Sequence, residues 1–302
     1  MIIDGKKLEE VLNARGLKKS DLCRAAGVSS RTIAKIAKGE EIRDAVIERI
    51  AAVLSVSAAD LALRNVILDT LRREMSVRLS GGLYHETQIR LTYNSDHIEG
   101  SRLTEDQTRF IFETKTLGVL PPDVTIDDVI ETTNHFRCID YVISNAESPL
   151  SDDLILHLHS LLKGGTQYAA TYGAGVYKSL PNTVGGIETT SPVQVAKEMG
   201  ALLKWYEGHR RITFEDIVEY HYRFECIHPF QDGNGRVGRL LAFKECLRAG
   251  IVPFYIDDKY KYEYYNGLRQ WRSDRAFLLE TCHLGQDIYR MILDHFGISH
   301  QD

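Results

Sequence analysis

The stretch of the chain with the clearest chemical potential is residues 228–239, which read HPFQDGNGRVGR. It begins with His228, an imidazole that can serve as a general base near neutral pH. Asp232 follows and offers a hard carboxylate oxygen, the kind of ligand that Mg²⁺ prefers when it bridges phosphates. The stretch therefore predicts a base and a metal ligand within one turn.

The middle of this stretch, Gly233-Asn234-Gly235, can fold into a concave nest of backbone N–H groups. Apolar residues recur at helical spacing directly afterwards, so the nest is expected to open a helix whose N-terminus attracts phosphate. Arg236 and Arg239 share one face of that helix and can bind phosphate oxygens in bidentate fashion. Each feature alone has an ordinary structural explanation, but together they predict phosphoryl chemistry on a nucleotide.

The elements around this stretch are mostly helical in pattern. Pro229 disfavours helix at His228, so the preceding helix is expected to end there. Helix starts are predicted by Thr104 with Gln107, by Thr125 with Asp128, by Ser191-Pro192 and by Thr213. Residues 177–190 differ, because Gly-Gly between β-branched residues predicts a short hairpin. The predicted class is all-α, with one small β-hairpin.

The first 64 residues form a small, basic region. They hold 12 Lys and Arg against 9 Asp and Glu, whereas the rest of the chain holds 25 against 33. Apolar stripes at helical spacing predict five short helices, with a tight turn at Gly27. Ser20 is expected to cap the second helix, and Ser29 or Ser30 the third. The charge difference suggests separate partners for the two regions, although a solvated charged face is the plainer explanation.

Residues 6–63 resemble a phage-repressor-type helix-turn-helix. The residues that carry the resemblance are Leu22, Gly27, Val28, Ile33, Ile36 and Gly39. In such folds the second helix of the motif enters the major groove of DNA. The resemblance implies contacts to bases by Ser30, Arg31, Thr32 and Lys35. The alternative is a helical module that binds protein or only packs.

Composition restricts the class of protein. The chain has 302 residues and a net charge of −5, so as a whole it is not a basic nucleic-acid coat. No apolar run approaches the roughly 18 residues of a membrane helix, and the start lacks a secretory signal. These features predict a cytoplasmic protein without a membrane partner. The five cysteines form no CxxC pair, which predicts neither disulfides nor a zinc site.

Residues 228–239 match the Fic motif, His-x-Phe-x-(Asp/Glu)-Gly-Asn-Gly-Arg-x-x-Arg, at every specified position, and a wider likeness covers residues 84–302. The resemblance implies a helical core with a hairpin flap. It also implies transfer of AMP from ATP to a Ser, Thr or Tyr hydroxyl of a target protein, with ATP as substrate and Mg²⁺ as cofactor. The intact glycines favour AMP transfer over the kinase-like branch of the family.

The resemblance further implies a role for each motif residue. His228 would be the base for the incoming hydroxyl, and Asp232 would be the Mg²⁺ ligand. The phosphates of ATP would contact Gly233, Asn234, Gly235, Arg236 and, at the γ-phosphate, Arg239. The flap that aligns the target segment by strand-like pairing would be formed by Thr183, Val184, Gly185, Gly186 and Ile187.

Residues 95–100, SDHIEG, fit the inhibitory helix of the family, (Ser/Thr)-x-x-x-Glu-(Gly/Asn). The resemblance implies that Ser95 and Glu99 belong to this element and that Glu99 pairs with Arg239, so that ATP binds in a non-productive pose. A solvated glutamate at a helix end is the ordinary alternative.

The sequence departs from the family pattern at the asparagine that often contacts adenine after a Tyr-Tyr pair. Here Tyr264-Tyr265 is followed by no matching asparagine at the later position, so the preference for ATP stays open.

The sequence as a whole predicts three segments. These are a helix-turn-helix at 1–64, a linker helix at 65–83 and a Fic domain at 84–302, with the inhibitory helix at about 88–100. The predicted function is a self-inhibited protein adenylyltransferase. A deAMPylase that uses the same site, and a DNA-binding regulator with a Fic sensor, are the alternatives. The sequence leaves open the target protein, the operator and whether the chain forms a homo-oligomer.

Overall fold

The structure, a computed structural model, describes residues 3–40, 42–62, 65–119, 123–184 and 187–300. The chain divides into two compact units, Met1–Asn65 and Val66–Asp302. Both units are helical, and the only sheet among the described residues is one two-stranded hairpin. The predicted all-α class is therefore confirmed. No helix in the described ranges has the length and apolar character needed to cross a membrane.

The first unit contains five short helices. These are α1 (Gly5–Ala14), α2 (Lys19–Ala26), α3 (Ser30–Ala37), α4 (Asp44–Val53) and α5 (Ala58–Leu61). Their apolar faces enclose one core, in which Leu22, Ile33 and Ile47 are buried. Gly27 has φ 61°, a left-handed conformation that makes the sharp turn between α2 and α3.

Two predicted caps of this unit had different outcomes. Ser29 caps α3, because its Oγ accepts a hydrogen bond from the backbone N–H of Thr32 at 3.2 Å. The prediction for Ser20 was wrong, since α2 already begins at Lys19. The Asp21 carboxylate takes the capping role there and accepts from the backbone N–H of Lys18 at 3.2 Å.

The second unit contains eleven α-helices, one 3-10 helix (Asp258–Tyr260) and the hairpin among its described residues. The helices are α6 (Val66–Val77), α7 (Leu83–Ile98), α8 (Glu105–Thr114), α9 (Ile126–Ser144), α10 (Asp152–Lys163), α11 (Gln167–Tyr172), α12 (Pro192–Glu207), α13 (Phe214–Ile227), α14 (Asn234–Ala249), α15 (Lys261–Gln270) and α16 (Ala276–His295). Strands β1 (Thr183–Val184) and β2 (Ile187–Glu188) pair antiparallel before α12.

Local capping signals determine several of these helix starts. Thr104, Thr125 and Thr213 each start a helix, as predicted, and each forms a capping box with the residue three positions later. Pro192 occupies the first turn of α12, which also agrees with the prediction. Helix α7 ends at Ile98, so Glu99 is its C-cap residue rather than part of the helix.

Helix α14 is the centre of the second unit. Every residue from Arg236 to Leu247 is buried, and the helix contacts α7, α9, α10 and α13. A helix that is covered on all sides must lie inside the fold. The N-terminus of α14 is consequently surrounded by side chains from four other helices, and these side chains form the candidate active site.

Candidate active site

The site is built on the turn between α13 and α14. Helix α13 ends at Ile227, and His228 follows in the left-handed region with φ 52° and ψ 62°. This conformation is uncommon for a residue with a side chain and is often found at functional sites. Gly233, with φ 82°, then directs the chain into α14, which begins at Asn234. The predictions that a helix ends before His228 and that the glycines open a new helix are confirmed.

Asn234 holds this turn closed from inside. Its Oδ1 accepts from the backbone N–H of Phe230 at 2.7 Å, and its Nδ2 donates to the Phe230 carbonyl at 2.8 Å. The side chain is buried, and each of its two polar atoms makes one of these bonds. The Asn234 side chain is thus a structural clamp, and only its backbone N–H stays available for an anion.

We expect Asn234→Ala to lower the free energy of unfolding of the second unit by about 1–3 kcal/mol, because two buried hydrogen bonds are lost and the Phe230 N–H is left unpaired, whereas the Phe230 carbonyl still accepts from Asn182. Chemical denaturation followed by circular dichroism measures this change. Asn266→Ala is the matched control, since exposed Asn266 makes only a 3.4 Å contact with Arg269. Equal stability of the two variants would contradict the structural role of the Asn234 side chain.

Arg236 lies in an ion-pair network inside the unit. Its guanidinium contacts Glu131 of α9 and lies 3.6 Å from the Asp96 carboxylate of α7. Lys163, at the end of α10, pairs with Glu131 and, at 2.6 Å, with Asp232. The two cations and three carboxylates nearly balance, so charges that would be costly to bury alone are compensated.

Asp232 has the exposure and ionisation that a metal ligand requires. About half of its side chain (54%) is exposed. Burial alone would raise the pKa of Asp232, but the charges of Arg236 and Lys163 outweigh it and hold the pKa below the usual aspartate value. A single ionised carboxylate suits Mg²⁺, which commonly takes one or two carboxylates and completes its shell with phosphates and water. The donor set therefore fits a magnesium ion that arrives with a nucleotide. The described residues contain no cluster of three or more His, Cys, Asp or Glu side chains that would hold a metal ion without a nucleotide.

Arg239 is bound to the end of α7. It donates from Nε to Ser95 Oγ at 3.0 Å, and from Nη2 to the Ser95 carbonyl at 3.0 Å and to Glu99 Oε1 at 2.7 Å. Burial alone would raise the pKa of Glu99, but the charges of Arg239 and Arg236 lower it, so the carboxylate stays ionised. The structure thus brings together Ser95, Glu99 and Arg239, three residues that the sequence analysis had grouped.

His228 lies at the opposite side of the turn. Its side chain is mostly buried (17% exposed), and Nδ1 is turned inward with no hydrogen-bond partner among the described residues. Burial and the nearby charge of Lys178 lower the pKa of His228 to about 4. The near-neutral value expected from the sequence does not apply to this resting arrangement. The imidazole is unprotonated at neutral pH and can accept a proton.

The hairpin is fastened to the motif turn. The backbone N–H of Lys178 donates to the Pro229 carbonyl at 2.8 Å, and Asn182 Nδ2 donates to the Phe230 carbonyl at 3.0 Å. In the hairpin itself Thr183 pairs with Glu188 and Val184 with Ile187. The predicted flap residues Gly185 and Gly186 lie outside the described residues.

A cavity of about 1290 Å³ opens beside the hairpin and the end of α13. Its lining includes Val184 and Glu188 of the hairpin, Glu225 and Ile227 of α13, and Leu268 and Arg272 near α15. Arg272 donates to the hydroxyl of Tyr222 at 3.1 Å. The lining reaches Cys226 and Ile227, which directly precede His228, but it includes no residue of 228–239.

Comparison with known families agrees with this geometry. Residues 149–245 match the Fic/DOC family. The chain contains a Fic domain. Residues 7–65 match the Cro/C1-type HTH DNA-binding domain, so the predicted helix-turn-helix is confirmed as well.

Curated relatives of the Fic domain are named protein adenylyltransferases. A protein adenylyltransferase Fic from Nematostella vectensis is 29% identical over 257 residues, which is 82% of this chain and 54% of the relative. Protein adenylyltransferase fic-1 from Caenorhabditis elegans is 29% identical over 193 residues, which is 62% of this chain and 37% of the relative. The chain thus spans about half or less of the length of these two proteins.

Solved structures with the same fold are also Fic proteins. A Fic domain containing signaling protein from Bacteroides thetaiotaomicron has a TM-score of 0.62 at 24% identity and covers 79% of this chain and 99% of its own. Fic-1 from C. elegans has a TM-score of 0.62 at 21% identity over 95% of this chain and 92% of its own. At these identities the likeness establishes the fold.

The helix-turn-helix unit presents its predicted contact residues on α3. Ser30 and Arg31 are exposed, whereas Thr32 and Lys35 are half-buried. The opposite face of α3 is buried through Ile33 and Ile36. The four residues therefore share the outward side of the helix.

Three residues of the Fic site had not been predicted. Glu131 and Lys163 neutralise Arg236 and Asp232 from other helices, and Asp96 faces Arg236 from α7. Asp96 lies inside the recognised 95–100 segment, where its burial could have been suspected. Glu131 and Lys163 follow no local pattern that would have pointed to the site.

Proposed function

We propose that the Fic domain is a protein adenylyltransferase that transfers AMP from ATP to a Ser, Thr or Tyr hydroxyl of a target protein. One observation carries the proposal. An unprotonated imidazole, an exposed ionised carboxylate and two guanidinium groups converge on the N-terminus of a buried helix. The names of the curated relatives support the same reaction.

The polyphosphate of ATP binds at the N-terminus of α14, where free backbone N–H groups and the helix dipole favour anions. Arg236 and Arg239 exchange their carboxylate partners for phosphate oxygens, since guanidinium binds both groups in the same bidentate way. Asp232 would hold Mg²⁺, and the bound ion would neutralise the charge of the polyphosphate. The cavity beside the hairpin, about 1290 Å³ in volume, receives the nucleoside.

The target hydroxyl attacks the α-phosphorus while His228 takes its proton. A new oxygen–phosphorus bond forms to AMP, the bond to the β-phosphate oxygen breaks, and pyrophosphate leaves. The hairpin aligns the target segment by strand-like pairing along β1 and β2. Its hydrogen bonds to the carbonyls of Pro229 and Phe230 keep that segment in register with His228.

Glu99 restrains this reaction in the resting chain. It holds Arg239 by a charge-assisted hydrogen bond of 2.7 Å, so the guanidinium that should meet the γ-phosphate is already occupied. ATP must displace Glu99 or bind in a pose that does not react. The proposed enzyme is therefore self-inhibited.

Incubation with α-labelled ATP, Mg²⁺ and a cell lysate tests the reaction. Transfer of the α-label to protein, with no transfer from γ-labelled ATP, is expected for an adenylyltransferase. Feeding the chain an AMP-modified target without ATP tests the reverse reaction, and release of AMP there would favour the deAMPylase. Absence of label from the wild-type chain and from a Glu99→Gly variant would overturn the proposal.

We further propose that residues 7–65 bind DNA through α3, on the basis of the family match and the outward position of Arg31. With a duplex selected from a random pool, Arg31→Ala in the full chain is expected to weaken binding about 5- to 150-fold, the range of one good base contact. Fluorescence anisotropy at several salt concentrations measures the affinity. Arg15→Ala, which removes an equal exposed charge at the end of α1, is the control. The proposal fails if both variants bind equally or if binding shows no dependence on salt.

A further inference from the structure

A buried carboxyl group lies directly behind His228 and is not part of the Fic motif. Glu225 is on α13, one turn before His228, and its Oε2 lies 3.7 Å from Nδ1 of the imidazole. Glu225 Oε1 and His228 Nδ1 are both buried, and neither has a well-aligned hydrogen-bond partner among the described residues. The backbone of Glu225 also faces the imidazole and raises its pKa. Unsatisfied polar atoms on two adjacent buried side chains are rare in native proteins.

Gly238 provides the space in which Glu225 sits. A Cβ atom at residue 238 would lie 2.6 Å from Glu225 Oε1 and 3.0 Å from Nδ1 of His221. The Fic motif accepts any residue at this position, but here a side chain larger than glycine would push the carboxyl group away from its observed position. Gly238 on α14 thus accommodates the side chain of Glu225 on α13 where the two helices pack together.

The chemistry of the base shows what the carboxyl group can do. A neutral imidazole carries one proton, and it accepts a second proton only at the other nitrogen. Since Nδ1 of His228 points inward, the outer nitrogen, Nε2, must be the free one if a target hydroxyl is to be deprotonated. An acceptor beside Nδ1–H holds the ring in that tautomer, as the buried aspartate does in a Ser-His-Asp triad.

We propose that Glu225 is a positioning residue whose carboxylate accepts the Nδ1–H of His228 and so keeps Nε2 free to act as the base. This inference rests on the proposed adenylyltransferase function. The separation of 3.7 Å exceeds a hydrogen bond, and a small rotation of the carboxyl group closes it. Catalytic hydrogen bonds are often long before the substrate is bound.

The surroundings of Glu225 connect it to the inhibitory contact. The charged and titratable groups around it are Arg239 on α14, Glu99 after α7, His221, Cys226 and His228 on or after α13, and Tyr264 and Tyr265 on α15. Lys178 faces the imidazole from the segment before the hairpin. Burial raises the pKa of Glu225, the charge of Arg239 lowers it and the charge of Glu99 raises it, so that the pKa is about 8.

In the resting chain Glu225 is therefore mostly protonated at neutral pH. A protonated carboxyl is a weaker acceptor than a carboxylate and can donate to Nδ1 instead, which places the ring proton on Nε2 and blocks the base. Removal of the Glu99 charge lowers the pKa of Glu225 and favours the carboxylate, which accepts from Nδ1–H. Glu99 thus restrains the base, His228, in addition to holding Arg239. The activity that depends on Glu225 rises with pH through the pKa of this group, since the ionised form is the stronger acceptor.

The test compares Glu225→Gln with its parent in a Glu99→Gly background, in the full chain. We expect kcat for AMP transfer to fall about 10- to 100-fold, the lower part of the range for a general base, with KM for ATP changed less than about 2-fold. The limb of the pH profile that belongs to Glu225 should disappear, because an amide does not titrate. Glu225→Asp, which keeps a carboxylate, should retain that limb. Glu74→Gln, a buried carboxyl that accepts from the backbone N–H of Tyr84 away from the site, is the control and should leave the profile unchanged.

Nitrogen-15 NMR of the histidine side chains gives a readout that is independent of activity. In the Glu99→Gly parent, His228 should show a protonated Nδ1, and Glu225→Gln should shift it towards a mixture of tautomers. An unchanged kcat, pH profile and tautomer in Glu225→Gln would overturn the inference. If the Glu99→Gly parent transfers no AMP, the proposed function fails, whereas the tautomer of His228 still decides the role of Glu225.

Discussion

In a Glu99→Gly background, His228→Asn should reduce AMP transfer by about 10²- to 10⁴-fold, the usual contribution of a positioned general base. Asparagine is the better substitution because residue 228 has φ 52°, a conformation that asparagine tolerates more readily than alanine does. The fold should therefore survive. Nucleotide affinity should change little, since the phosphate-binding groups lie on α14 and not at His228.

Quenched-flow labelling with α-labelled ATP measures the rate, and calorimetry measures the affinity for ATP. His157→Asn is the control, because His157 is an exposed residue of α10 and should leave both values unchanged. Label transfer by His228→Asn at more than about a tenth of the parental rate would exclude His228 as the base. Loss of ATP affinity together with activity would instead indicate a structural role for the imidazole.

The parts of the site that could be predicted from the sequence are those fixed by local backbone chemistry. Pro229 ends α13, Gly233 takes the left-handed conformation before α14, and the threonine boxes start α8, α9 and α13. Each of these signals acts within a few residues, so the sequence alone displays it. The wrong prediction for Ser20 has a local cause as well, because the carboxylate of nearby Asp21 takes the capping role.

The side chains that neutralise the motif could not be predicted in this way. Glu131 contacts Arg236, which lies 105 residues later, and Lys163 contacts Asp232, which lies 69 residues later. These contacts exist only because α9 and α10 pack against α14. The low pKa of His228 has the same origin, since burial by tertiary packing sets it. A family motif names the groups of a site, whereas their ionisation depends on the surrounding helices.

Glu99→Gly should increase AMP transfer by about 10- to 150-fold. The contact that it removes is a charge-assisted hydrogen bond between Glu99 and Arg239, whose side chains are 30% and 4% exposed. Hydrogen bonds to charged groups contribute about 1.5–3 kcal/mol, and each 1.4 kcal/mol corresponds to a factor of ten. The gain should appear mainly in kcat, since the resting chain can still bind ATP in a non-productive pose.

The position of the Glu99 carboxylate explains why its effect should be large. Oε1 lies so close to Gly235 that any Cβ at that residue would collide with it. The carboxylate therefore covers the phosphate nest itself, besides holding Arg239. Because its pKa lies below the usual glutamate value, it stays charged at neutral pH and repels an incoming phosphate.

Glu99→Gln separates the two parts of this inhibition. The amide keeps the volume over Gly235 and can still accept from Arg239, but it has no charge to repel phosphate. We expect its activity to lie between those of the wild type and Glu99→Gly, as measured by α-label transfer at saturating ATP. If Glu99→Gln equals Glu99→Gly, charge alone inhibits, and if it equals the wild type, occupancy of the nest is the dominant effect. Should Glu99→Gly itself leave the rate unchanged, the contact with Arg239 is only structural, and the control of the enzyme must lie elsewhere in the chain.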